Sequence, residues 1–539
     1  MRLSWLKWQW LDLIASQRFF NVTTMAHSAA AFEGWSREDL ISRIVELEQI
    51  KTIKPREPLY NEKSNDKTFD PSAYPRRKIA LKFTYHGAHY SGLEHQGLPT
   101  RLPTVEGVLF DALVRCHLVD PAGGFQGCGW DRCGRTDKGV SAAAQVVSLW
   151  VRSALGEVRR PDKTSQDATS MLPEVPLSSP VDSSANEDGP GLEGDLGAMG
   201  NWDEPPTNAA LEQSSETTSE LPYVFRINRA LPPTIRILAW SPVSDDFSAR
   251  FSCRWRHYKY FFSTRELDIS AMQDAASRLV GEHDFRNLCK IDAPKQLVSF
   301  TRRILSANVN PVEGNADLHV LDLVGSAFLY NQVRHIMAVL FLVGTRLEHP
   351  SIVDALLNTD PSTPQPPSRE GEPPPPIVPG KPHYEMADPL PLVLWDTGYD
   401  ESALSWRGEY EAATEVDSQK YLANNVCNNL QSLLDRSEIH TALDAHFLRA
   451  AAKHHSPPPH YFPIGGKGSE PIRKDSMLAV PLGGGTYKRA AGYTPLLERG
   501  RNATAEEINT RWRVGKGARK MERKFAVVAL QGTERLPHT

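Results

Sequence analysis

The chain has 539 residues, 40% of them hydrophobic and 23% charged, with a formal net charge of −4. Its length exceeds what one compact domain usually holds, and its 41 prolines suggest sizeable linkers between folded parts. No uninterrupted apolar run approaches the ~20 residues of a membrane helix, and the six cysteines form no CxxC pair, which argues against a zinc ribbon and a disulfide framework and fits a reducing compartment.

The N-terminus, MRLSWLKWQWLDLIASQRFF, is basic and rich in tryptophan. It reads either as a mitochondrial presequence over residues 1–24, without the usual arginine and serine density, or as a segment ahead of a start at Met25. Ser36 and Asp39 suggest a helix cap. Leu40, Ile41, Ile44, Val45 and Leu47 then predict a helix over 36–50. Residues 51–75 read as a linker, so 1–74 form an N-terminal extension.

Ile79, Leu81, Phe83 and Tyr85 alternate with polar or small residues, the period of a half-buried strand. The glycine-punctuated loop YHGAHYSG follows, then a helix at Val105–Leu113 that Thr104 can cap. CGRTDKGVSA, residues 133–142, leads into a strand at Gln145–Val151. The stretch Thr164–Glu220 contains twelve Asp or Glu and no Lys or Arg, so the rest of the chain carries −4 − (−12) = +8. An acidic, disordered insertion over 153–222 on a basic body is compatible with a polyanionic partner.

Order resumes near Tyr223. Arg256–Phe262 reads as a strand with Tyr258, Tyr260 and Phe262 on one face. Asp268 opens a helix through Met272, Ala275, Ala276, Leu279 and Val280 that Gly281 ends. A strand at Leu318–Val324 leads into an apolar helix read from Ala327 to Val343. Residues 361–383 form a proline-rich insertion, 386–400 a last strand, and 421–539 a helical and basic C-terminal extension. Strands and helices alternate as in an α+β fold. Two folded regions are expected at 75–152 and 223–420.

Three residues carry possible chemistry, each with a plainer reading beside it. Asp137 in GRTDKG is either a carboxylate presented between Gly134 and Gly139 or an ordinary turn aspartate. Arg135 and Lys138 beside it favour its ionised form. Thr136 can fix the loop through its hydroxyl. Arg334 is the only formal charge in its apolar stretch: it pairs with a carboxylate such as Asp137, or it snorkels to solvent. Tyr258, among Arg250, Arg254, Arg256 and Lys259, either stacks on an unpaired base or belongs to a core stripe. The GGKG and GGG segments lack the spacing of a P-loop, and no histidine pattern resembles a zinc set.

Taken together and in this order, CGRTDKGVSAAAQVV, DFSARFSCRWRHYKYFF and GSAFLYNQVRHIMAVLFLVG resemble the three motifs of the TruA family of tRNA pseudouridine synthases. YHGAHYSG and INRALPPTIRI are similar to two further family segments. The resemblance covers about 75–152, 223–350 and 386–400. Cys133, Ser141 and GEHDFRNLCKID are similar to the eukaryotic branch acting on positions 38 and 39 of the tRNA anticodon stem-loop.

What the resemblance implies is a TruA-type fold, two related lobes of mixed or antiparallel sheet flanked by helices around a basic cleft. It implies that Asp137 is the catalytic aspartate, Arg334 its ion-pair partner, and Tyr258 the aromatic on the target base. Arg135 would help extrude the nucleotide, Thr136 would stand with the substrate-binding residues, and Leu392 or Leu390 would add apolar packing. His86 and Leu93 depart from the family's usual Asp and Trp. The implied partner is tRNA, with no cofactor, no metal and no membrane, in a homodimer found in nucleus and cytoplasm. A related synthase for positions 27 and 28 or messenger RNA, and a non-catalytic RNA-binding protein, are the competing readings.

Overall fold

The computed structural model describes residues 73–96, 100–155, 220–265, 267–408, 425–455, 478–490 and 492–519. These all belong to one compact unit, Phe69–Thr539. The helix expected at 36–50, most of the acidic insertion and the last basic residues lie outside the described part.

The first lobe opens with strand β1 (Arg76–Tyr85), followed by helix α1 (Val105–Arg115), the short β2 (Asp131–Arg132) and β3 (Ser141–Arg152). Helix α2 (Tyr223–Ala230) and β4 (Ile235–Pro242) complete it. The second lobe runs β5 (Trp255–Ser263), α3 (Ile269–Ser277), β6 (Gly281–Asp284), β7 (Thr301–Val312), β8 (Asn315–Gly325), α4 (Gln332–Gly344), α5 (Ile352–Leu357) and β9 (Leu392–Gly398). A long helix α6 (Val426–Ala452), a hairpin of β10 (Leu478–Gly483) and β11 (Thr486–Ala490), and α7 (Ala505–Trp512) follow. No described helix is long and apolar enough to cross a membrane.

Nine strands form one mixed sheet in the order β4-β1-β3-β9-β5-β8-β7-β6, with β2 on β3. Its two halves repeat one plan. β1 lies between β3 and β4, with α1 after it and α2 before β4. β5 lies between β8 and β9, with α3 after it and α4 before β9. The halves join where β3 and β9 run parallel, Ser141 opposite Val393 and Ala142 opposite Leu394. Every other pairing in the sheet is antiparallel. The α+β fold expected from the sequence is therefore present, and the seam between the lobes is where functional side chains gather.

Alternation places the cores. On β1, Ile79, Leu81, Phe83 and Tyr85 are buried in the first lobe with Leu109 and Leu113 of α1. Thr104 caps α1, its side chain accepting from Gly107 N at 3.2 Å. On β5, Tyr260 and Phe262 lie under α4, their rings 6.1 and 5.9 Å from Phe341. Burying a side chain such as Phe262 contributes roughly 1.5–3 kcal/mol.

The end of α3 and the start of α4 differ from the sequence reading. Asp268 caps α3 as expected, but α3 ends at Ser277, and Gly281, with φ +120°, starts β6. Val280, expected on the helix's buried face, is 44% exposed. The apolar helix starts at Gln332 rather than Ala327, because Asn331 takes the left-handed conformation (φ 60°, ψ 13°) and breaks helical geometry there.

The insertions are tied down where they are described. Glu220, at the end of the acidic stretch, is buried and accepts from Ser153 Oγ at 2.7 Å and from Ala154 N at 2.8 Å, while Arg77 donates to it at 2.6 Å. The last of the twelve acids thus closes the neck of that segment. In the proline-rich segment, Glu372 takes both arms of Arg278, at 2.6 and 2.7 Å. Leu478 and Val480 of β10 are buried in the second lobe's core, so part of the C-terminal segment completes that lobe. The six cysteines are free.

Candidate active site

The loop between β2 and β3 combines the two readings of Asp137. Val140 N donates to Asp137 O at 3.1 Å, and Gly139 has φ +87°, the geometry of a type II turn with glycine at its third position. The turn is what presents the aspartate. Gly134 has no such role: its φ is not positive, and a Cβ there would meet nothing within 4 Å.

The YHGAHYSG loop clamps this turn from one side. Gly87 N donates to Ser141 Oγ at 3.0 Å, and Leu93 N donates to Thr136 O at 3.3 Å. A Cβ on Gly87 would come within 2.1 Å of Val140 O, and one on Gly92 within 3.3 Å of Thr136 O. Close backbone approach therefore requires both glycines. Thr136 is buried, with its hydroxyl 2.5 Å from Tyr85 Oη, so this side chain anchors the loop to β1. His86 and Leu93 serve the clamp through their backbones, His86 N donating to Thr234 O at 3.0 Å.

Asp137 meets the N-terminal end of α4. Arg334 Nη1 lies 3.6 Å from Asp137 Oδ2, and Arg334 Nε donates to Ala387 O at 2.8 Å. Asn331 Nδ2 donates to the same Oδ2. Arg334 therefore does not snorkel; anchored on Ala387 O, it faces Asp137 across a loose, single-armed contact. Burial raises the Asp137 carboxyl above the usual aspartate range, while Arg334, Asn331 and Lys290 pull it back. The sequence led us to expect charged neighbours to favour ionisation throughout; desolvation at the seam outweighs them, and the net direction is upward.

Tyr258 stands on β5 opposite Leu323 of β8 and Leu394 of β9, half-buried and packed against both cores. Its ring meets Phe328 edge-on at 5.0 Å, and burial keeps its hydroxyl protonated. The aromatic stripe thus splits by depth: Tyr260 and Phe262 are core, and Tyr258 lines the cleft. Leu392 also lines it, buried at the start of β9, whereas Leu390 is 53% exposed. Arg135 reaches the cleft from the catalytic loop and pairs with Glu94, which also binds Arg132 at 2.7 Å.

Asp137, Tyr258, Arg334, Arg135 and Leu392 thus line one cavity of about 1090 Å³. Nine Lys or Arg and four Asp or Glu side chains surround it, which makes it basic and suited to a phosphate backbone. The sequence reading missed Asn331, Lys290 and Glu94. Asn331 left one signal, a residue tolerant of left-handed geometry inside an apolar run. Lys290 and Glu94 left none, because only the fold brings them to the seam.

Comparison with known proteins identifies the family. The family model described as tRNA pseudouridine synthase matches residues 275–400. The chain is 37% identical over 431 residues to the tRNA pseudouridine(38/39) synthase of Saccharomyces cerevisiae, covering 75% of this chain and 81% of that protein. It is 37% identical over 396 residues to the tRNA pseudouridine(38/39) synthase of Homo sapiens, covering 70% and 68%. It is 31% identical over 334 residues to tRNA pseudouridine synthase A of Methanothrix thermoacetophila, covering 61% and 85%.

Proposed function

We propose, for a chain that belongs to the tRNA pseudouridine synthase family, that it isomerises uridine to pseudouridine at positions 38 and 39 of the tRNA anticodon stem-loop, with Asp137 as the catalytic residue. The observation that carries the assignment to Asp137 is its convergence with Arg334 and Tyr258 in one basic cleft at the seam of the lobes. The names of the yeast and human relatives support the positions.

The target base must leave the stack before Asp137 can reach its glycosidic bond, at roughly a few kcal/mol. The cleft's basic side chains hold the phosphates, and Tyr258 offers a ring to the extruded uracil. Arg135, its side chain half-exposed and paired with Glu94, exchanges that partner for RNA and helps extrude the nucleotide. Thr136 acts through Tyr85, holding the loop. The Asp137 carboxylate, its anion favoured by Arg334 and Asn331 against the effect of burial, acts on the sugar or base to release N1 from C1′. The freed uracil turns within the cleft, C5 joins C1′, the C5 proton leaves and N1 takes up a proton in its place. The product is an isomer of the substrate, so atoms and electrons balance without any co-reactant.

A homodimer is part of the proposal. Helix α6 supports it, with Leu434, Ile439, Leu443, Phe447 and Leu448 each 46% or more exposed; light scattering of the purified chain tests it. Residence in nucleus and cytoplasm, tested by imaging a tagged chain, completes it. The function is tested on tRNA transcripts carrying uridine at 38 and 39, each replaced in turn. Pseudouridine is expected at whichever uridine remains, and modification at 27 or 28 alone would overturn the positions.

A further inference from the structure

We propose that Phe251 is a stacking platform for an unpaired base of the RNA, next to the nucleotide taken by Asp137; this extends the tRNA reading and rests on it. Phe251 lies in the bend ahead of β5 and is 81% exposed. A phenylalanine so placed forgoes its burial energy, so its position serves something other than the core.

The loop that carries it is firmly built. Ser248 Oγ donates to Asp131 Oδ2 at 2.5 Å, Arg250 N donates to the same oxygen at 3.2 Å, and Phe251 N donates to Ser248 Oγ at 3.0 Å. Tyr399 Oη donates to Ala249 O at 2.7 Å. Asp131 belongs to β2, the strand that leads into the catalytic loop. Arg256 ties the two loops directly, one amino group donating to Arg250 O at 2.9 Å and to Cys133 O at 3.0 Å. The backbone that carries the exposed ring is therefore tied to the catalytic loop.

Its surroundings select nucleic acid. The Arg250 guanidinium lies 5.1 Å from the ring centroid, and Arg250 itself lines the catalytic cleft. Arg254, three residues on, has a side chain 67% exposed that pairs with the half-exposed Asp400 at 2.5 Å. A lone aromatic between exposed arginines is not the contiguous apolar patch of a protein interface. It is the pairing of π-face and phosphate-binding charge found where single-stranded bases stack.

The test is tRNA affinity, measured by anisotropy of a labelled transcript, with every protein carrying Asp137→Ala so that no turnover intervenes. Phe251→Ala is expected to weaken binding about 5- to 150-fold, and Phe251→Leu, which keeps apolar bulk without the π-face, similarly. Phe251→Trp should restore it. Binding by Phe251→Ala within twofold of the reference, or Phe251→Leu equal to the reference, overturns the proposal. A photo-crosslinking p-benzoylphenylalanine at 251 gives the second readout: adducts to the anticodon arm are expected, while adducts to another protein chain, or none, overturn it. Pseudouridine formation by the parent chain is scored separately. A parent that binds tRNA but makes no pseudouridine would sink the proposed function and leave the Phe251 result readable.

Discussion

Replacing Asn331 with glycine isolates one determinant of Asp137's ionisation. Asn331 sits at φ 60° and donates its amide to Asp137 Oδ2. Glycine accepts that backbone geometry without strain and is tolerated ahead of a helix, so the donor is lost while α4 keeps its start. A hydrogen bond to a charged group is worth about 1.5–3 kcal/mol, or about one to two pKa units at 1.36 kcal/mol each. The Asp137 side chain is 26% exposed, so water replaces part of the lost bond, and about one unit is the expected shift. The sign follows from the chemistry. Losing a donor destabilises the anion and raises a carboxyl that burial already holds above its usual range, so less of it is ionised at a given acidic pH. The acid limb of the pH–rate profile therefore moves up by about one pH unit, with the alkaline plateau within a few-fold of the parent. Single-turnover tritium release from tRNA labelled at uridine C5, run from about pH 5 to 9, reads this. An unmoved limb would refute the role given to the amide. A plateau lowered on the order of 100-fold would mean that Asn331 serves the reacting atoms themselves.

Tyr85→Phe removes the partner of the buried Thr136 hydroxyl, leaving it unsatisfied at roughly 1–3 kcal/mol. A lower Tm and a slower rate at near-parental tRNA affinity are expected; calorimetry and single-turnover kinetics check them. Gly87→Ala drives a Cβ into Val140 O and pushes the clamp off the catalytic turn, so the rate should fall on the order of 100-fold while tRNA binding changes a few-fold at most. Lys295→Gln removes a cation lining the cleft, so the slope of log Kd against log salt should become shallower by about 0.7–0.9, measured by titration at several salt concentrations.

The period of β1 and the capping of α1 and α3 were legible because local pattern and burial agree there. The site was legible as separate residues only. Asp137 read as a turn residue as readily as a catalytic one, and the fold makes it both, since Gly139 builds the turn that presents it. Tyr258 shared a stripe with Tyr260 and Phe262, and periodicity carries no information on depth; the seam leaves only Tyr258 beside the cavity. The start of α4 was misplaced because an apolar run from Ala327 looks helical, whereas one asparagine in left-handed geometry delays the helix and aims its amide at Asp137. The parallel junction of β3 and β9 joins residues some 250 positions apart, a pairing no local pattern encodes.

The central claim is that the Asp137 carboxylate carries out the isomerisation. Nucleotide-resolution mapping of pseudouridine on a tRNA transcript, after incubation with the parent chain or with Asp137→Ala, tests it most directly. The parent should convert positions 38 and 39, and Asp137→Ala should bind the same transcript yet leave both as uridine. Conversion by Asp137→Ala at the parental rate would contradict the account.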